Sequence, residues 1–380
     1  MWKIPLADLS FGPEEEEAVR EVVASGWLTM GDRTALFEQR LGEALGGRVL
    51  AVTNGTAALH LAYAAVGVGP GDEVICPSLT FVATANAALT CGATVVLADI
   101  VGPSDLGIDP ADVEAKITPR TKAIGVVHYA GYPCDMDALL DVARRHGIAI
   151  VEDVAHAPLA TYKGRALGTL GDVGAMSFFS NKNMTTGEGG AVIASGDVYD
   201  RMKLMRSHGM TTLTLDRHRG HAFSYDVVYP GFNYRMDELR SALGLVQLGR
   251  LREGNELRRA RTRTYHATLH GVPGLGLPYA DFEAKGVGVS ACHILPVLLP
   301  EGTDRERVMG QMKALGVQTS VHYPPIHRFT HHGASDLVRK EGLAKTDAVA
   351  ARELTLPLYP RMTEADVSLV CESLVLSLAG

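Results

Sequence analysis

From Arg48 onward the chain alternates short apolar runs rich in Val and Ile with segments of helical period, and this alternation restricts the possible folds more than any other feature. "RVLAVT" is followed by "TAALHLAYAAVG", "EVICP", "FVATANAALTCGA", "TVVLADI", "KAIGVVHYAG", "MDALLDVARRHG", "IAIVED", "VGAMSFFS" and "GAVIAS". Strands that are apolar along their whole length are buried on both faces, and helical crossovers between them produce a mainly parallel sheet. Ligands of such sheets sit beyond the carboxyl ends of the strands, so residues just after each run are the candidates for chemistry.

A long helical pattern, "RMDELRSALGLVQLGRLREGNELRRARTRTYHATL", follows, with apolar residues at spacings of three and four. After Leu269, Gly and Pro connections surround strand-like "CHILPVLL" and "VQTSVHY", with a helix "DRERVMGQMKALG" between them. A chain of 380 residues suits a large domain plus a smaller α/β one, here 1–250 with an N-terminal arm and 251–380. The content of 46% hydrophobic and 21% charged residues is that of a soluble globular protein. A formal charge of -7 argues against nucleic acid as a partner, because phosphate binding needs a basic surface. The five cysteines are scattered and lack zinc spacing, which points to a reducing cytosol and no metal. The N-terminal segment has no apolar signal region, and no run approaches the roughly 20 apolar residues of a membrane span. The expectation is a cytoplasmic protein with no membrane partner.

Three features after strand-like runs could carry chemistry. Asp153 ends "IAIVED", where a helix cap or an ion pair is the ordinary reading of a lone Asp. Lys182 follows "GAMSFF" and so emerges at the same sheet edge; alone it reads as a surface lysine, but in a desolvated pocket its amine can attack a carbonyl. In "VTNGTAALHLA" a strand turns through Asn54 and Gly55 into a helix near Thr56, whose free N–H groups favour a phosphate, and Ser177 can add a hydroxyl. The glycines of "TTGEGG", after Lys182, would let backbone approach a ligand closely. A phosphate cradle, a carboxylate and an amine at one edge match pyridoxal 5'-phosphate, which needs an anchor, an acid to keep its ring nitrogen protonated and a lysine for its aldehyde.

The stretches "SGWLTMG", "TNGTAALHLA", "PSLTFVATANAAL", "ITPRTKAI", "VEDVAHA", "SFFSNKNMTTGEGGAV", "FNYRMDELRSALGLVQL" and "VHYPPIH", in this order over nearly the whole chain, resemble the DegT/DnrJ/EryC1/StrS sugar aminotransferases. The resemblance implies the pyridoxal-phosphate-dependent transferase fold of type I, with a mostly parallel seven-stranded sheet between helices. It implies that Lys182 bonds the cofactor's aldehyde and later moves the proton, that Asp153 bonds the pyridine nitrogen, and that Phe81 stacks on the ring. It further implies that His156 reaches the phenolic oxygen and that Gly55, Thr56 and Ser177 hold the phosphate. Asn233 would reach the phosphate of a neighbouring subunit, making the active site a property of a homodimer; the plain alternative is a helix N-cap. Members with His in place of the lysine are sugar dehydratases, a branch that Lys182 disfavours.

For the acceptor, the resemblance makes Trp27 and Thr29 of "SGWLTMG", and His322 and Tyr323, candidates for sugar contacts. The basic stretches "LDRHRGHAFSY", with Arg217, His218, Arg219 and His221, and "VHYPPIHRFTHH", with His327 and Arg328, could clamp a phosphorylated acceptor or be solvated loops. The activity implied is transfer of an amino group from an amino acid, L-glutamate, to a nucleotide-linked keto sugar in amino-sugar, surface-polysaccharide or secondary-metabolite synthesis. The alternatives are a glutamine-dependent keto-inositol aminotransferase and a catalytically silent regulatory relative.

Overall fold

The apolar runs become one sheet in the computed structural model, which describes residues 2–211 and 224–379. Its strands are β1 (Arg48–Val52), β2 (Glu73–Pro77), β3 (Thr94–Ala98), β4 (Thr121–Val127), β5 (Ala149–Asp153), β6 (Val173–Ser177), β7 (Gly190–Ala194) and β8 (Val338–Arg339). Their spatial order is β1-β7-β6-β5-β4-β2-β3-β8. β7 runs antiparallel to both neighbours and every other pairing is parallel, so the sheet has the mixed character expected of a doubly covered α/β layer.

Alternate residues of each strand divide between two cores. Val49, Ala51, Ile75 and Ile124 face one, with Phe37 and Leu41; Leu50, Val52, Val74 and Val151 face the other, with Leu61 and Tyr63. Burial on both faces is why the strands read as continuous apolar runs. A third core joins the C-terminal region to the sheet's rim, where Val297, Val308, Leu354 and Val370 meet Ile100, Leu106 and Tyr129. Within that region Leu295–Leu298 pairs antiparallel with Glu353–Leu356. No helix among the described residues is long and apolar enough to cross a membrane.

Three details differ from the sequence expectation. β8 is an eighth strand of two residues, too short to leave a pattern; Arg339 ties it to the buried Glu73 of β2 at 3.3 Å. "VQTSVHY" is not a strand, because Val317 and Ser320 make only isolated bridges to Ile4 and Thr355. The long helix spans Glu238–Leu269 and starts three residues later than its quoted pattern, just after Asp237, whose carboxylate accepts from Arg240 N at 2.9 Å. Asp237, and not Asn233, is therefore its N-cap.

The first helices are α1 (Pro13–Ser25), α2 (Asp32–Leu45), α3 (Gly55–Ala65) and α4 (Ala83–Thr90). The start of α2 is capped from outside. The buried carboxylate of Glu238 accepts from the backbone N–H groups of Gly31, Arg33 and Thr34, each at 2.8 Å, and from the Thr34 hydroxyl at 2.7 Å. In return Glu238 N donates to Leu28 O, so the Trp27–Met30 loop is fastened to the long helix. Removing this carboxylate leaves three backbone donors without an acceptor, and a buried unmet donor is costly. Glu238→Ala should lower unfolding free energy by about 3 kcal/mol in denaturant titration. Glu238→Gln, which keeps an acceptor, should lose less than half of that.

Candidate active site

β5 and β6 lie side by side with Ala175 opposite Asp153, so both strands deliver their carboxyl-end residues to one place. A cavity of about 750 Å³ opens there, lined by Gly55, Thr56, Phe81, Asp153, His156, Ser177 and Lys182, with His322 and Tyr323 from the C-terminal region.

Asp153 is 7% exposed and is neither a helix cap nor part of an ion pair among the described residues. Its Oδ2 accepts from the Thr84 hydroxyl at 2.7 Å and its Oδ1 from Ala155 N at 3.1 Å. Burial raises its pKa, against the two hydrogen bonds and the Lys182 charge, which favour the carboxylate. Lys182 makes no side-chain hydrogen bond among the described residues and keeps some exposure to the cavity. Loss of hydration lowers its pKa to about 8, while the Asp153 charge opposes that fall. At neutral pH a usable fraction of the amine is thus neutral.

The segment before Lys182 is a tight turn. Lys182 N donates to Phe179 O at 2.9 Å, Phe179 N donates to Ser177 Oγ at 3.4 Å, and Ser180 Oγ donates to Gly187 O at 3.2 Å. Phe179 and Asn181 consequently reach the cavity wall beside the lysine. Two glycines of "TTGEGG" serve the packing of this loop. A Cβ on Gly190 would lie 2.6 Å from the Asn54 backbone, and one on Gly189 would lie 2.2 Å from Thr186 Oγ1.

At the start of α3, Asn54 Oδ1 accepts from Ala57 N at 2.8 Å and Asn54 O accepts from Ala58 N at 3.1 Å. Among the described residues no acceptor meets the N–H groups of Gly55 and Thr56, which leaves them for an anion. A Cβ on Gly55 would stand 2.7 Å from Ser177 Cβ, so the glycine is what lets Ser177 share the turn. Phe81, 55% exposed over the cavity, has its ring centroid 5.7 Å from that of Tyr323. His156 is held by Ala130 N, which donates to its Nδ1 at 3.3 Å, and its Nε2 lies 3.0 Å from Tyr323 Oη. The residues present fit pyridoxal phosphate: an anion cradle, a buried acid, an exposed aromatic face and an unpartnered amine line one cavity.

Other expected residues lie elsewhere. Trp27 and Thr29 are outside the cavity wall, and Asn233 is exposed, its backbone bridging Ser207. Arg217, His218, Arg219 and His221 fall outside the described residues. His327 and Arg328 lie outside the cavity wall, and Asp347 engages both, His327 Nε2 at 3.1 Å and Arg328 Nε at 2.9 Å. His327 Nδ1 also meets Ser78 Oγ at 2.8 Å, which fastens this loop to the end of β2.

Sequence reasoning missed a brace behind the lysine. Asn183 Nδ2 donates to Asn255 Oδ1 and to Ala291 O, both at 2.8 Å, and its Oδ1 accepts from His293 Nδ1 at 2.9 Å. Asn255 Nδ2 in turn donates to Pro158 O at 2.8 Å. Only the spacing of Asn183, next to Lys182, hinted at this; its partners are 72 and 110 residues away.

Fold and site define a transaminase of the type I class. The chain belongs to the DegT/DnrJ/EryC1/StrS aminotransferase family, whose model matches residues 10–375. It is 38% identical over 369 residues to the spore coat polysaccharide biosynthesis protein SpsC of Bacillus subtilis, covering 95% of this chain and 94% of that one. The aminotransferase TlmJ of Streptoalloteichus hindustanus superposes with a TM-score of 0.90 at 34% identity, covering 99% of each chain. PseC of Helicobacter pylori, an aminotransferase involved in the biosynthesis of pseudoaminic acid, gives 0.90 at 28% identity, again covering 99% of each.

In cofactor-free protein, competitive acetylation should titrate Lys182 with a midpoint near pH 8. Asp153→Asn removes the negative charge that opposes the fall, so the midpoint should move lower; an unchanged or higher midpoint would contradict the coupling.

Proposed function

We propose that this chain transfers an amino group from L-glutamate to the keto group of a nucleotide-linked sugar, acting as a homodimer. Enzymes of its family use pyridoxal 5'-phosphate. When bound, that cofactor supplies an aldehyde for the donor's amine and a ring that takes up the electrons left by a departing proton. The observation that carries the reading is the meeting of Lys182, Asp153 and the Gly55 turn at one cavity.

Lys182 Nζ would hold the cofactor through its aldehyde. Once freed by the donor, its amine would carry the proton removed from the donor's α-carbon, a task suited to a base whose pKa lies near working pH. Asp153 would keep a proton on the ring nitrogen through its carboxylate. Gly55 and Thr56 N–H groups, with Ser177 Oγ, would bind the phosphate, Phe81 would cover a face of the ring, and His156 would meet the phenolic oxygen. His322 and Tyr323 are the acceptor contacts best supported, since both line the cavity. Trp27, Thr29, Arg217 and Arg219 would add further acceptor contacts, and Asn233 would serve the phosphate of the neighbouring subunit. The polysaccharide role named for SpsC and the sugar pathway named for PseC support a sugar acceptor.

Without an acceptor, the cofactor-loaded protein should release one equivalent of 2-oxoglutarate from glutamate and stop; with a nucleotide keto sugar it should turn over. Failure to release the keto acid from glutamate or glutamine would overturn the reading. Lys182→Ala should lose roughly 10³-fold or more in turnover. Gly55→Ala, by pushing on Ser177, should weaken cofactor binding by about tenfold or more in fluorescence titration.

A further inference from the structure

Behind the cavity wall a carboxyl group is buried with no role in the mechanism above. Glu353 is 0% exposed, and its two oxygens face different partners. Oε2 accepts from His322 N at 3.0 Å, and Oε1 lies 2.6 Å from Thr355 Oγ1. Thr355 Oγ1 lies 2.9 Å from His322 Nδ1. The other ring nitrogen of His322, Nε2, has no protein partner among the described residues, and His322 lines the cavity. The backbone of the same residue is pinned by Tyr129 Oη, which donates to His322 O.

We propose that Glu353, Thr355 and His322 form a relay in which the protonation state of Glu353 decides whether His322 Nε2 offers the cavity a hydrogen-bond donor or an acceptor. The proposal rests on the reading of His322 as an acceptor contact. The hydrogen count leaves little choice. Oε2 faces an N–H, so a proton on Glu353 must sit on Oε1. It then donates to Thr355 Oγ1, the Thr355 hydroxyl donates to His322 Nδ1, and the ring carries its hydrogen on Nε2. When Glu353 ionises, Thr355 donates to Oε1 instead, Nδ1–H donates to Thr355 Oγ1, and Nε2 presents a lone pair. Three hydrogens become two, and the one lost leaves from Nε2 toward the cavity.

The surroundings put this change in a useful range. Burial pushes the Glu353 carboxyl up to about 8, against the hydrogen bonds from Thr355 and His322 N and the charge of Arg305, whose guanidinium donates to Glu353 O at 3.0 Å. Tyr129 and Tyr323 are the other titratable groups near it, and both stay neutral because burial raises them further. Burial and the Lys182 charge push His322 down to about 4, so its ring is neutral and the relay selects a tautomer.

The test uses cofactor-loaded protein labelled with 15N-histidine, with His322 assigned through His322→Asn, and reads the two ring nitrogens by long-range 1H–15N correlation from pH 6.5 to 9.5. The expected result is hydrogen on Nε2 at the acid end and on Nδ1 at the basic end. Glu353→Gln must keep its oxygen on His322 N and turn its NH₂ to Thr355, so it should hold the Nε2–H form throughout. Thr355→Val should abolish the pH response and Thr355→Ser restore it. A His322 tautomer that does not change with pH in the wild type, or changes alike in Glu353→Gln, would overturn the relay. The acceptor reading is judged separately. If His322 touches the acceptor, KM for the keto sugar should change by up to about tenfold across this range in the wild type and not in Glu353→Gln; a flat KM with an intact tautomer change would remove the sugar contact and leave the relay standing.

Discussion

Burying Asp153 at the end of β5 is the constraint around which the site is organised. A carboxylate removed from water needs acceptor satisfaction and a nearby positive charge, or it takes up a proton. The fold supplies the first through Thr84 and Ala155 N, and only part of the second, because Lys182 lies close enough to influence Asp153 without an ion pair. The same dry surroundings that raise the acid's pKa lower the amine's. One physical cause therefore prepares both groups, and a cationic ring placed against Asp153 would give the acid the charge it lacks.

The amine is delivered by a loop that has little freedom. In front, the turn from Ser177 to Lys182 is closed by backbone hydrogen bonds; behind, Asn183 is fixed by Asn255, Ala291 and His293. The glycines of the same loop allow Gly190 to lie against Asn54, so the anion turn and the lysine loop form one packed unit. Opposite them, the His322–Tyr323 segment reaches over from the C-terminal region, with Tyr323 meeting His156 and Glu353 holding His322. The cavity is thus walled by parts of the chain far apart in sequence, each locked by buried polar contacts.

Much of this layout was legible in the sequence, for identifiable reasons. Seven strands buried on both faces left continuous apolar runs, and β5 and β6 being parallel placed Asp153 and Lys182 at one edge. What was illegible depends on contacts between distant residues. β8 is two residues long, and the Glu238 cap on α2 joins positions 207 residues apart, so neither leaves a local pattern. The same holds for Asn183 with His293 and for Glu353 with His322. The "TTGEGG" glycines were visible, but the sequence could not show that Gly189 lies against Thr186 and Gly190 against Asn54. The pairing of His327 and Arg328 with Asp347 was hidden likewise, because no local pattern in the sequence links them.

The most direct test of the central claim, that Lys182 is the group that carries the chemistry, is chemical. Cofactor-loaded protein is reduced with borohydride, digested, and its peptides mapped by mass spectrometry. The account predicts that the pyridoxyl group is found on Lys182 alone, and that prior incubation with glutamate prevents its attachment. Label on another lysine, or none on the peptide that contains Lys182, would contradict it.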